Sequence, residues 1–137
     1  MTLFERILAG ELPCHRLHEG PSTFAFLDVG PVARGHALLI PRTPVATLDA
    51  LDPEDGAALG AVLPRLAAAL KDATGADGLN VLLNSGEAAG QEVPHLHFHL
   101  IPRWDGDAGG PVGGWRPGTL DPDEAATLAA AVRERMA

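Results

Sequence analysis

Cysteine is nearly missing from this chain. Cys14 stands alone, so no disulfide can close within it, and a reducing, cytoplasmic setting is the expectation. Also missing is any long uninterrupted apolar run, although 46% of the residues are hydrophobic. That combination excludes both a membrane-spanning helix and a disordered chain. No basic stretch followed by an apolar one opens the sequence, so no secretory signal is expected. Basic residues are scarce too: 10 Lys+Arg against 18 Asp+Glu leave a formal net charge of −8. This is the wrong sign for gripping a nucleic-acid backbone. A small anion is not excluded, because imidazoles and backbone N–H groups can hold one phosphate. No internal repeat or linker interrupts the chain, and 137 residues suffice for one domain, 1–137, with a real core.

What the chain does have is histidine in register. His95-Leu96-His97-Phe98-His99-Leu100-Ile101 alternates imidazoles with apolar side chains, and in an extended strand successive side chains point to opposite faces. The three imidazoles then share one face, while Leu96, Phe98 and Leu100 turn to a core. The outer two Cα atoms would stand roughly 13 Å apart at the usual strand rise, too far to close on one ion. A row of imidazoles along a bound polyanion, with His97 central, fits better than a shared metal. The bland alternative is a histidine-rich strand on a solvated face.

Around this stretch the chain reads as α+β. Leu3, Phe4, Ile7 and Leu8 sit at helical spacing, and Gly10 stops that short helix. An extended piece runs to about His18, and a turn follows at 19–22. Strands are predicted over 23–29 and 35–41, paired antiparallel because no long crossover separates them. Asp52 caps a long helix with Pro53 at its first position, and an apolar stripe of Leu59, Val62, Leu63, Leu66 and Leu70 marks its core face. Pro64 lies inside that helix, where a kink or break is expected. A strand over 79–84 and a turn over 85–91 lead into the histidines. Residues 104–118 read as a glycine-rich loop anchored by Trp104 and Trp115, and Asp121-Pro122 opens a C-terminal helix. The result is a mainly antiparallel sheet with one long helix and shorter helices at the two ends.

Several blocks in the same order resemble the histidine triad family, bacterial Hint-like branch. The histidine stretch is similar to that family's signature His-φ-His-φ-His-φ-φ, with φ apolar. Phe4-Glu5-Arg6-Ile7-Leu8-Ala9-Gly10-Glu11-Leu12-Pro13 resembles its opening F-x-x-I-x-x-G-E-(I/L)-P. Ala25-Phe26-Leu27-Asp28-Val29-Gly30-Pro31 resembles A-F-x-D-I-x-P, and Gly35-His36-Ala37-Leu38-Leu39-Ile40-Pro41-Arg42 resembles G-H-x-L-x-I-P-(K/R). Asn84-Ser85-Gly86-Glu87-Ala88-Ala89-Gly90-Gln91 resembles the turn before the histidines.

The resemblance implies a five-stranded sheet and an enzyme that cleaves at the α-phosphate of purine nucleotide conjugates, of phosphoramidase type. His97 would attack phosphorus through Nε2 and form a nucleotidyl-histidine that water hydrolyses. A neutral imidazole is well populated at pH 7, which suits that role. His99 would contact the phosphate and assist the leaving group, with His95 and His36 as a supporting layer. Spacing leaves open which flanking histidine gives the leaving group its proton. For His36, a structural role and a catalytic one both stand. Asp28 would receive the ribose hydroxyls, and Asn84 would make a polar contact near phosphate or ribose. Glycine-turn amides at Gly86, Gly90 and Gln91 would cradle phosphate oxygens. Leu3, Phe4, Ile7, Phe26 and Val29 would sandwich the purine.

The departures from the family pattern matter equally. Some bacterial members hold a structural zinc at positions that correspond here to Thr2, Glu5 and Pro44 together with the first triad histidine. With three of those ligands replaced, no zinc and no cofactor are expected. Glu92 stands where one branch has a small hydroxyl residue; it would point away from phosphate or face a cationic leaving group. The family is typically a homodimer, and Trp115 could reach a partner's site. Two other functions share these residues: hydrolysis of dinucleoside polyphosphates, and a purine-nucleotide-binding adaptor with incidental hydrolysis. A histidine-based metal site is the remaining alternative.

Overall fold

A short helix, α1 (Leu3–Leu8), opens the chain. Thr2 caps it: its hydroxyl accepts the N–H of Glu5, and the Glu5 carboxylate accepts the N–H of Thr2. Then come β1 (Arg16–Glu19), β2 (Thr23–Leu27), β3 (Ala37–Pro41), the long α2 (Pro53–Thr74), β4 (Gly78–Leu83), β5 (Phe98–Arg103) and α3 (Pro122–Met136). This computed structural model describes residues 1–107 and 115–137. The centre of the loop expected over 104–118 lies outside the described residues. The strands form one 5-stranded sheet in the order β1-β2-β3-β5-β4, each neighbouring pair antiparallel. This is the α+β sheet architecture that the sequence implies. Among the described residues, no helix is long and apolar enough to cross a membrane.

Strand alternation gives the sheet two different faces. Leu17, Leu27, Leu39 and Leu100 turn toward α2 and α3, where they meet Leu59, Leu66, Leu70 and Val132. Phe24, Phe26, Leu38 and Ile40 turn the other way and pack with Phe4 of α1. β2 and β3 are therefore buried along their whole length. Each fully buried aliphatic side chain contributes about 1.5–3 kcal/mol by leaving water. Because α1 covers only part of its face, the remainder is available for a site.

Two elements differ from the sequence reading. α2 runs unbroken through Pro64, so of the kink or break predicted there the break does not occur. Pro64 and Gly60, four positions before it, are both exposed, and even a Cβ on Gly60 would meet nothing within 4 Å. The proline ring has room, and the carbonyl deprived of its partner faces water. The histidine strand also starts later, at Phe98 instead of His95. Pro94 has no N–H to offer a ladder, and the N–H of His95 turns back to the carbonyl of Val93 at 2.8 Å. Face alternation nonetheless survives. Leu96, Phe98 and Leu100 join the core under α2, while the rings of His95 and His97 meet Phe4 on the opposite face.

β3 is entered through Gly35, at φ +84, which aims His36 into the sheet. A Cβ at Gly35 would stand 2.8 Å from Thr74 Cγ2 and 3.1 Å from Pro102 Cγ. Gly35→Ala therefore combines backbone strain with a clash, and is expected to lower stability by about 2 kcal/mol. Urea unfolding would show the loss as a lower midpoint at unchanged slope. An unchanged midpoint would mean that the loop relaxes without cost.

Candidate active site

His36, His95, His97 and His99 are all buried on the α1 side of the sheet, and each ring has its own anchor. His95 is completely buried, with Nε2 at 2.8 Å from the carbonyl oxygen of Pro41. A carbonyl only accepts, so this nitrogen carries the proton and donates. The same reasoning fixes His97. Its Nδ1 lies 2.7 Å from the carbonyl of His95 and donates to it, which leaves Nε2 as an unprotonated lone pair.

His36 and His99 are fixed from the other side. The N–H of Val32 donates to His36 Nδ1 at 3.0 Å, so in the neutral ring the proton sits on Nε2. That nitrogen meets His99 Nδ1 at 2.9 Å, which must accept. His99 is thus left with its proton on Nε2. The centroids of the His97 and His99 rings are 4.9 Å apart. Two adjacent imidazoles therefore present opposite functions, a lone pair on His97 and an N–H on His99. Such a pair can attack an electrophilic centre and steady an oxygen attached to it.

Burial keeps these rings neutral. It is the largest cause pushing the pKa of His36, His97 and His99 below 6.5. His99 is carried down to about 3, with the His97 and His36 rings adding to the effect. At His36 the Asp28 carboxylate opposes the shift. At His97 the hydrogen bond to His95 does the same.

Asp28 follows β2 at the rim of this group. Its Oδ1 accepts the N–H of Gly30 at 2.9 Å, and Oδ2 lies 3.6 Å from His36 Nε2. The apolar residues read from the sequence as a purine slot divide into two sets. Phe4 and Phe26 are core residues, edge to face at 5.5 Å, and Phe4 also abuts the His97 ring at 5.0 Å. Ile7 is half-buried against them. Leu3 and Val29 keep exposed faces, 47% and 68%. A floor and an open rim result.

Asn84 and Gly90 adjoin beyond β4; a Cβ on Gly90 would lie 3.7 Å from the Asn84 amide nitrogen. The amides of Gly86, Gly90 and Gln91, expected to cradle phosphate, are already engaged inside the turn. Gly90 N–H donates to Glu87 O at 2.9 Å and Gln91 N–H to Gly86 O at 3.2 Å, while Gly86 N–H donates to the Gln91 side chain. The 3-10 turn at Glu87–Ala89 draws these donors inward. Glu92 is exposed. Trp115, read from the sequence as able to reach a partner, here stands edge-on to the chain's own His36 at 5.5 Å and His99 at 5.0 Å. Its segment is pinned where Gly118 N–H donates to Pro31 O at 2.7 Å. Sequence reading missed Val32 and Pro41 as ring anchors, because their contribution is a backbone atom that no side chain announces.

The donor atoms of Asp28, His36 and His99 lie within 4.8 Å of one another. They do not fit a resident metal ion. A cation on His36 Nε2 would move the proton to Nδ1, against the N–H of Val32. The positions matching a family zinc site do not fit either. Thr2 and Glu5 close the cap of α1, His95 Nε2 donates to Pro41, and Pro44 has no side-chain donor atom.

The chain is similar to several known proteins. The HIT domain pattern matches residues 9–106. The adenosine 5'-monophosphoramidase hnt1 of Schizosaccharomyces pombe is 38% identical over 126 residues, covering 92% of this chain and 91% of that protein. Adenylylsulfatase HINT3 of Arabidopsis thaliana is 40% identical over 105 residues, 77% of this chain; the match spans about half, 53%, of the plant protein. The crystal structure of a Hit-like protein from Bartonella henselae superposes with a TM-score of 0.87 at 30% identity, covering 98% of this chain and 95% of that one.

The neutral rings give stability a defined pH dependence. His99 takes a proton near 6.5 in the unfolded chain but only at about 3 when folded. Between those values the unfolded state binds more protons, so stability falls as the pH drops through that window. His36 and His97 shift in the same direction. Thermal unfolding followed from pH 7 to pH 4 is expected to show a falling midpoint, with a shallower fall in His99→Asn. Equal slopes in the two proteins would contradict this account.

Proposed function

The chain belongs to the histidine triad family and is a nucleotidyl hydrolase, and from that premise we propose that it cleaves purine nucleoside 5'-monophosphate conjugates, of phosphoramidate type, at the α-phosphorus. The observation that carries this reading is the hydrogen bond from His97 Nδ1 to the carbonyl of His95, which leaves Nε2 free to attack. His97 Nε2 forms a bond to phosphorus while the bond from phosphorus to the leaving group breaks. The departing group leaves on the side of His99, whose Nε2–H meets the departing atom or the phosphoryl oxygen beside it. Water then attacks the nucleotidyl-histidine, releasing the nucleoside monophosphate and restoring the His97 lone pair. The same phosphoramidase activity is named for the yeast relative.

In this reading Asp28 accepts the ribose hydroxyls and Asn84 contacts the phosphate or ribose. Leu3 and Val29 hold the purine over Ile7, Phe4 and Phe26, and Gly90, beside Asn84, bounds the phosphate end, while Gln91, whose side chain and N–H are engaged within the protein, stays out of contact with it. His95 and His36 support the two reacting rings. The working unit is a homodimer in the cytoplasm, without nucleic acid or membrane as partner. β4 offers the joining edge: it is an outer strand, Gly78–Leu83 carries no charge, and Val81 is 52% exposed. Light scattering at twice the 14.2 kDa chain mass checks this assembly.

His97→Ala is expected to lower turnover of an adenosine 5'-phosphoramidate by at least ~10³-fold. Nucleotide labelled at the α-phosphorus is trapped on the wild-type chain and not on this variant. Activity extends below pH 6.5, because burial keeps the His97 nucleophile unprotonated there. Full activity in His97→Ala would overturn the mechanism. A panel including dinucleoside polyphosphates tests the leaving group, and absent trapping with no turnover on any substrate would favour an adaptor.

A further inference from the structure

The connection between β4 and β5 is held from within by one side chain. Gln91 is 9% exposed, and its amide is fully engaged inside the protein. Oε1 accepts the N–H of Gly86 at 2.7 Å, while Nε2 donates to the carbonyls of Ala46 at 2.7 Å and Val93 at 3.0 Å. The orientation of the amide follows from its partners. The Gly86 N–H needs an oxygen opposite it, and the two carbonyls need N–H groups. Neither amide proton is left over for a ligand.

The bond to Ala46 ties the turn to the connection between β3 and α2. The segment from Pro41, the last residue of β3, to Leu48 has three more hydrogen bonds to the same region. Val45 O accepts Leu96 N–H at 2.8 Å, Pro41 O accepts His95 Nε2–H at 2.8 Å, and Leu48 N–H donates to Ser85 Oγ at 3.0 Å. The ladder between β3 and β5 reaches no further than Leu39 opposite Phe98. Over residues 85–97, which carry His97, the 41–48 segment does what a neighbouring strand does elsewhere. Gln91 contributes one of the tethers, to Ala46, and braces its own segment through Val93, just ahead of Pro94.

We propose that Gln91 is a positioning residue: without touching the substrate, it clamps the turn at 86–91 and Val93 onto residues 41–48, and thereby sets where His97 stands. The inference rests on the proposed role of His97 only for its kinetic consequence; the clamp belongs to the ligand-free protein. A nucleophile displaced by about 1 Å loses on the order of 10² in rate, so the loss appears in kcat.

The test pairs a variant with a measurement on the unaltered chain. Gln91→Met keeps the side-chain length and removes every polar atom. It is expected to lower kcat on an adenosine 5'-phosphoramidate by roughly 10²-fold with KM within about threefold, and to speed amide exchange at Leu96 and Gly86 in ligand-free protein. In wild-type protein, NMR should find the Gln91 side-chain amide protons slow to exchange, and saturation with adenosine 5'-monophosphate should leave their shifts in place. A wild-type kcat in Gln91→Met, or movement of those resonances on nucleotide binding, overturns the proposal. If Gln91→Met does not fold, the wild-type NMR result decides alone. Slow exchange without turnover of any nucleotide would sink the proposed reaction and leave the clamp standing.

Discussion

The hydrogen bond from His97 Nδ1 to the carbonyl of His95, 2.7 Å long, constrains more of this protein than any other contact. An imidazole has two nitrogens and, when neutral, one proton, so placing the proton places the lone pair. The carbonyl can serve because His95 does not continue the ladder. Its ring is drawn to Pro41, and its peptide leaves the sheet to face the neighbouring side chain. The Phe4 ring closes against both histidines and keeps the pair dry.

The second half of the pair obeys the same logic from the opposite direction. Val32 N–H fixes His36, His36 fixes His99, and the sequence ends on an outward N–H. No ring need be charged for this polarity to exist. An acidic chain can thus present an anion with local donors instead of net positive charge. Burial, which would penalise imidazolium, keeps the arrangement in its working protonation state. The same burial removes proton-binding capacity from the folded state, and so couples the site to acid stability.

Much of this was legible in the residues. The alternation from His95 to Leu100 gave the division of faces, because a period of two survives even where the ladder stops. Asp52-Pro53 and Asp121-Pro122 marked two helix starts, and both caps form as read, accepting from Glu54 and Asp123. What stayed hidden was backbone. Pro41, Val32 and Ala46 act through carbonyl or amide atoms common to every residue, so no side chain betrays them. The glycine turn misled for a related reason: its composition allows outward amides, but the donors are taken by the turn itself and by Gln91. At Pro64 the sequence allowed a break that does not occur, because the position faces water and the proline ring has room.

Phe4 and Trp115 touch neighbouring rings of one cluster, though 111 positions separate them in the chain. A site assembled from both ends has a high sequence separation among its contacts, and loop closure of that size slows folding. It also sets a schedule. During synthesis the sheet and α2 can form from residues already made, while the His99 side of the pocket stays uncovered until Trp115 arrives beside it and Gly118 binds Pro31. A chain interrupted before that point would carry every histidine and still lack the wall beside His99.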